Sequence, residues 1–299
     1  MIDIKLLEQL CLCNGISGDE VNVRNLIINE IKDCADDIKT DNLGNLIVFK
    51  KGKKSAKSKL MVSAHMDEVG LMVTDITSDG YLKFDEVGGI DRRVLPGKRV
   101  CVGRNGLNGV IGVKPIHLTN SDEKTAVPKM NDMYIDIGAE SREDALKYVN
   151  YGDGINFEGG FKINGKTVVT KALDDRFGCY VLINLIKSEP EYDMYFTFVV
   201  QEEVGLRGAR PAAFTVNPDF ALVIESTTAA DVAEVDASHQ VCNLSKGATV
   251  TVMDRATVYD KEMISAAFEL AEKNNIAVQY KRAVAGGNDS GAIHQSRGG

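Results

Sequence analysis

Lys171-Ala172-Leu173-Asp174-Asp175-Arg176-Phe177-Gly178 marks the point where an apolar run stops at two adjacent carboxylates and a helix begins. Asp174 stands at the end of the extended run, free to bridge two cations. Asp175 stands at the N-cap, where a carboxylate oxygen satisfies orphan N–H groups of the first turn and meets the positive end of the helix dipole. Taken alone, the octapeptide is more simply a capped helix with a spare surface Asp. Its meaning depends on what the rest of the chain repeats.

Three other apolar runs end in the same manner. Leu60-Met61-Val62-Ser63-Ala64 leads into His65-Met66-Asp67-Glu68, Tyr195 to Val200 leads into Gln201-Glu202-Glu203, and Phe220 to Ile224 leads into Glu225-Ser226-Thr227-Thr228. In open α/β sheets ligands gather in the crevice outside the carboxyl ends of the strands. Four chemically equipped endings therefore converge on one site in an α/β fold.

The 299 residues suffice for one large domain or two of moderate size. With 43 Asp and Glu against 35 Lys and Arg, the formal charge of -8 argues against a nucleic-acid partner, which needs a basic stripe. Small molecules or peptides fit better. The six cysteines are scattered, several inside apolar runs, as reduced core thiols are. Cys11 and Cys13 are too close for a zinc-binding pair, and no second pair completes a tetrahedral site. The amino terminus lacks a secretory pattern, and no apolar run approaches membrane-spanning length. These features predict a cytoplasmic protein with no membrane partner.

Along the chain, residues 3–13 predict a first helix ended by Asn14-Gly15. Ser17-Gly18-Asp19-Glu20 predicts a second, with Ser17 as N-cap of a capping box. A short strand follows at Leu46 to Phe49. From about Val69 to Ile163 the texture becomes short Val/Ile-rich pieces broken by turns such as Asn108-Gly109, the pattern of a small β-barrel or sandwich, with a helix only around Ser141 to Lys147. Metal-type residues flank this stretch on both sides. It therefore reads as an insertion, residues 69–163, into a discontinuous unit of residues 1–68 and 164–299. Beyond it, Phe177, Tyr180, Val181 and Leu185 predict the apolar face of a helix. Ile264, Ala267, Phe268 and Ala271 predict another, before a strand at Ile276 to Tyr280.

Side chains two apart on a strand share a face, so His65 and Asp67 look into the crevice while Met66 faces the core. Asp67 is placed to anchor the second imidazole nitrogen of a metal-binding His65. Where a strand dissolves into a loop, the neighbours Glu202 and Glu203 can take different tasks, one as metal ligand and one as general base. Asp174, Glu203, Glu225 and one hydroxide balance two divalent cations. That pairing is an arrangement used in aminopeptidases.

Taken in order, SAHMDEVG, KALDDRFG, VVQEEVGLRGA and GGNDSGAIH resemble the tetrahedral aminopeptidases, a family of co-catalytic metallopeptidases grouped with glutamyl aminopeptidases or cellulase-like proteins. The resemblance runs from the SGDE motif to Gly299. It implies a mixed sheet flanked by helices, of the zinc-exopeptidase type, with the inserted β-barrel serving assembly into dimers and up to twelve-subunit shells. Residue by residue, it implies metal ligation by His65, Asp174 as bridge and Glu203, with Glu202 as catalytic base and Asp67 as the carboxylate behind the imidazole. Glu225 falls where the family usually places an Asp ligand. Two divalent ions per subunit, zinc, cobalt or manganese, are implied as cofactors.

The function expected is removal of amino-terminal residues from short peptides. A deacylase or carboxypeptidase on the same cluster, or a non-catalytic assembly subunit, stands as the alternative. Cellulase activity is disfavoured because no carboxylate pair is arranged independently of the metal set. The family's last ligand is a His beyond the GGxDxGAIH motif. His117, His239 and His294 offer no substitute, so the chain is expected to be truncated and to hold fewer than two ions tightly.

Overall fold

The structure, a computed structural model, describes residues 3–298. Gly299, the last residue of the resemblance, lies outside them. The chain opens with helices α1 (Ile4–Leu12) and α2 (Val21–Ile31) and strands β1 (Asp37–Thr40), β2 (Leu46–Lys50) and β3 (Leu60–His65). Six strands follow: β4 (Gly70–Ile76), β5 (Leu82–Val87), β6 (Arg99–Val102), β7 (Leu107–Val113), β8 (Met133–Asp136) and β9 (Gly154–Phe157). They close into a barrel in the order β4-β5-β8-β7-β6-β9. One-turn helices α3 (Ser121–Thr125) and α4 (Arg142–Ala145) sit on its connections. Then come the hairpin β10 (Lys162–Asn164) and β11 (Thr167–Val169), α5 (Leu173–Lys187), β12 (Met194–Val199), α6 (Ala209–Val216) and β13 (Phe220–Val223). The chain continues through β14 (Ala248–Val250), α7 (Lys261–Lys273), β15 (Val278–Tyr280) and α8 (Ser290–Ile293).

The expected α/β class and the closed barrel are both present. The main sheet runs β1-β2-β12-β3-β13 and is mixed, with β12 antiparallel to β2 and parallel to β3, and β13 parallel to β3. One face carries α1, α2 and α5 through a core of Leu10, Val23, Ile27, Leu182 and Ile183 against Val62, Phe196 and Phe198. The other face carries α6 and α8 over Ile47 and Met61. The barrel has its own core, including Leu71, Phe84, Ile111 and Ile135. Among the described residues no helix is long and apolar enough to cross a membrane.

Register positions the site. His65 pairs with Val199 and Ser63 with Val223, so three parallel strands deliver their carboxyl ends side by side. The residues after those ends, Met66 to Glu68, Gln201 to Glu203 and Ile224 to Glu225, are thereby brought together at one rim.

Four sequence readings require correction. Asp174 does not end a strand of the main sheet: β11 pairs with β10 in a separate hairpin, and Asp174 stands at the start of α5. The core face of α5 is Cys179, Leu182, Ile183 and Ile186, whereas Phe177 and Leu185 are exposed. Helix α3 was not expected, although Asn120 and Glu123 form a capping box there. Ser17 does not cap α2, whose N-cap is Glu20 without any side-chain cap bond.

Candidate metal centre and active site

His65 ends β3 almost wholly buried, 1% exposed. Its Nδ1 lies 3.1 Å from the Asp67 backbone oxygen and 3.4 Å from Asp67 Oδ1. Its Nε2 lies 3.2 Å from Asp174 Oδ1 and 4.0 Å from Glu202 Oε2. A neutral ring that donates from Nδ1 to Asp67 therefore presents a free Nε2 to the acidic groups, the tautomer a metal ligand needs. Burial lowers the imidazole's basicity, but hydrogen bonds to Asp174 and Asp67 outweigh it and hold the pKa well above the ordinary value.

Asp67 is fully buried and accepts from the Ser17 hydroxyl at 2.6 Å, the Glu202 N–H at 3.0 Å and the Glu203 N–H at 3.1 Å. Burial works against its charge. The bonds to His65 and Ser17 and the Glu202 N–H win, and its pKa falls below the usual carboxylate value. One carboxylate thus orients both the imidazole and the backbone carrying the two glutamates.

At the start of α5 the helix begins only after Asp175, since Asp174 and Asp175 have non-helical backbone angles and the peptide between them is cis. Asp175 is buried and accepts from the Gly178 N–H at 3.0 Å and the His65 N–H at 3.4 Å, so it caps the helix and ties it to β3. Gly178 is required there, because a β-carbon would run into the Asp175 carboxylate and the Ile224 carbonyl. Asp174 faces outward, its side chain 55% exposed.

Arg176, fully buried, donates to the carbonyls of Met66, Leu10, Cys13 and Gly15 and approaches Glu68 Oε1 at 3.4 Å. Lys171 Nζ lies 2.8 Å from the same Glu68 oxygen. These two cations are thus committed to holding loops together. Among the described residues no Lys or Arg pairs with Asp174, Glu202, Glu203, Glu225 or Asp289.

The result is a concentration of acid that His65 alone offsets among the described residues. Ligand atoms of His65, Asp174 and Glu225 lie within 4.8 Å of one another, as do those of His65, Glu202 and Glu203. Burial, opposed by His65 and reinforced by neighbouring carboxylates, pushes Glu203 up to about 7, Glu202 to about 8 and Glu225 to about 10. Glu225 Oε2 and both Asp289 oxygens are buried without a hydrogen-bond partner. A buried carboxylate with nothing to accept from needs an explanation, and a cluster of one imidazole nitrogen and several carboxylate oxygens suits a divalent cation. The donor set therefore fits such ions.

All six residues singled out in the sequence, His65, Asp67, Asp174, Glu202, Glu203 and Glu225, stand together at this rim. The histidines at 117, 239 and 294 do not: the first two lie on one-turn helices elsewhere, and His294 is exposed with its Nδ1 2.7 Å from Ser290 O. Sequence reasoning missed Asp289, which adds to the negative field at Glu202. Asp289 stands in a glycine-rich loop and follows no apolar run, so the strand-ending pattern did not reach it. It also missed Arg176, Glu68 and Glu20, which act through contacts between distant segments.

A mixed sheet whose parallel strands deliver imidazole and carboxylates to one rim is an arrangement able to serve a metal-dependent hydrolase. The sequence profile of the M42 glutamyl aminopeptidase family matches residues 44–299, and the chain belongs to that family of peptide hydrolases. It is 34% identical to the lysyl aminopeptidase of Pyrococcus furiosus over 94% of this chain and 81% of the relative. It superposes on the TET aminopeptidase of a marine sediment thaumarchaeote with a TM-score of 0.93 at 34% identity, covering 99% of this chain and 85% of the other. With the Pyrococcus horikoshii TET1 peptidase, described as able to assemble into a tetrahedron or a large octahedral shell, the TM-score is 0.85 at 40% identity, over 98% and 88% of the two chains.

Proposed function

We propose that this chain is a cytoplasmic aminopeptidase that removes residues from the amino end of short peptides at a centre with donors for two divalent cations, of which the one held by carboxylates alone binds less tightly. The observation that carries this is the convergence of His65 with Asp174, Glu202, Glu203 and Glu225 where, among the described residues, no Lys or Arg offsets the carboxylates. His65 Nε2, Asp174 and Glu225 would hold one ion, and Asp174 and Glu203 the other, with zinc, cobalt and manganese all compatible with such donors. Bound there, divalent ions would polarise the scissile carbonyl and make water a stronger nucleophile near neutral pH.

The chain's own groups do the rest. Asp67 holds the imidazole through Nδ1 so that Nε2 is aimed inward, where a bound cation would take the place of its proton. Glu202, buried and raised in pKa, is the proton carrier: a carboxylate oxygen takes a proton from the attacking water and returns it to the leaving amine. Asp174 stays exposed at the rim.

The barrel, taken as an inserted domain over residues 69–163, is proposed to bring copies of the chain together as a homo-oligomer. Its β7–β8 connection exposes Ile116, Leu118 and Val127, apolar side chains suited to burial against another copy.

The test is a panel of dipeptides with free, N-acylated and C-blocked ends, assayed with the full chain and added zinc, cobalt or manganese. The reading predicts release from free-amine peptides and none from the N-acylated ones. Hydrolysis confined to N-acylated peptides would identify a deacylase. Ion binding without any hydrolysis would favour a non-catalytic assembly subunit.

A further inference from the structure

Ser17 and Glu20 stand in the pattern that normally caps a helix, yet neither side chain caps the helix that follows. Glu20 makes no side-chain cap bond. Its Oε1 instead accepts from the Gly18 N–H at 2.7 Å and, across the fold, from the Gln201 N–H at 3.1 Å. The Ser17 hydroxyl donates to Asp67 Oδ2 at 2.6 Å. Both residues are buried, 6% and 4% exposed. Forgoing a cap destabilises the helix start, and departures from a local rule collect at functional sites.

The partners they choose are the ones that aim the site. Asp67 contacts the His65 ring and accepts the Glu202 and Glu203 N–H groups. Gln201 adopts a left-handed backbone, φ 56, a conformation that is unfavourable for a residue bearing a side chain. That turn carries the chain out of β12 and back toward His65, and the Glu20 carboxylate stabilises it from the far side.

The segment supplying both groups is itself wedged in place. Glu68 N–H donates to the Gly15 carbonyl at 3.0 Å and Ser17 N–H to the Glu68 carbonyl at 3.3 Å. Ile16, 1% exposed, fills space where Gly70 and Gly154 leave little room for a β-carbon. The segment also lies ahead of residues 44–299, the part that matches the family profile.

We propose that Ser17 and Glu20 are positioning residues of the active site. Ser17 fixes Asp67, and through it the imidazole and the glutamate backbone, while Glu20 fixes the Gln201 turn. The inference rests on the reading of the site given above. No chemistry passes through either residue. Their effect is on where His65 and Glu202 stand, and small misplacements of such groups are costly.

Four variants of the full chain, Ser17→Ala, Ser17→Thr, Glu20→Ala and Glu20→Gln, test it. The readouts are zinc affinity of the chelator-stripped protein by calorimetry, kcat and KM on a free-amine dipeptide, and thermal unfolding. Ser17→Ala should weaken zinc binding by about 10-fold, the size expected when a partner behind a ligand is lost. It should also lower kcat by about 10-fold with KM changed by no more than about twofold. Ser17→Thr, which keeps the hydroxyl, should restore both. Glu20→Ala should lower kcat, and Glu20→Gln, which keeps an acceptor oxygen, should restore it. If Ser17→Ala does not fold, the Glu20 pair decides.

A folded Ser17→Ala chain with wild-type zinc affinity and kcat overturns the proposal, as do equal losses in Ser17→Ala and Ser17→Thr. In the Glu20 pair, unchanged kcat in Glu20→Ala or no recovery in Glu20→Gln does the same. A wild-type chain that neither binds zinc nor cleaves the peptide defeats the reading of the site and this inference with it. Wild-type binding and turnover with unresponsive variants defeat the inference alone.

Discussion

Glu202 and Glu203 follow one another in the chain, yet their surroundings divide the work. The Glu202 side chain is 11% exposed, 4.0 Å from His65 Nε2, and burial pushes its pKa up in the ion-free fold, so the carboxylate is held close to the cluster and basic. Glu202→Gln keeps the shape and removes the proton acceptor. Turnover should fall by about 10²-fold or more while the ions stay bound. Steady-state kinetics with elemental analysis checks this, and near-normal turnover would contradict the assignment. His65 was legible because it ends the buried strand β3, and a polar side chain there has a crevice to face. Asp174 was found by the same pattern for the wrong reason, since it follows the exposed hairpin β10–β11 and opens α5. Ser17 was not, because its local pattern says cap. Only the folded chain reveals that Asp67, fifty residues on, competes for the hydroxyl.

Helix α5 links the site to the core through Arg176. Its guanidinium gathers the carbonyls at the end of α1 and after β3, so the segment bearing Asp174 cannot shift independently of the segment bearing His65. Arg176→Met would leave those carbonyls and Glu68 buried with fewer partners. The cost should be roughly 3–5 kcal/mol, read as a lower midpoint in urea unfolding, and a change within about 0.5 kcal/mol would show that the network is not structural. The true core face of α5 was misread because the helix carries apolar residues nearly all round, and period alone cannot choose between two apolar faces. The stripe that packs on the sheet is Cys179, Leu182, Ile183 and Ile186. Helix α3 escaped for the opposite reason: one polar turn offers no periodicity, although Asn120 and Glu123 signalled its cap. The barrel strands were legible because glycine turns and β-branched runs act locally, whereas their order depends on pairings between distant segments.

At the scale of the whole molecule, the barrel and the sheet keep separate cores. Excising residues 69–163 and closing the gap is expected to leave a monomeric α/β unit by light scattering, and a shortened chain that kept the parent's oligomeric state would refute the barrel's assembly role. The acidic rim also couples the site to global stability. Glu203, Glu202 and Glu225 titrate near 7, 8 and 10 in the ion-free fold, against about 4.3 in an unfolded chain. The folded state therefore binds more protons than the unfolded one between those values, and stability falls as pH rises through that window. Bound cations supply the missing positive charge and reverse this. The most direct test is the melting temperature of chelator-stripped protein between about pH 5 and about pH 9, with and without zinc, beside Asp174→Asn. The account predicts that the ion-free protein loses stability toward high pH, that zinc restores it most strongly there, and that Asp174→Asn abolishes the zinc response. Identical curves with and without zinc, or an undiminished response in Asp174→Asn, would contradict the claim that this rim is a cation centre.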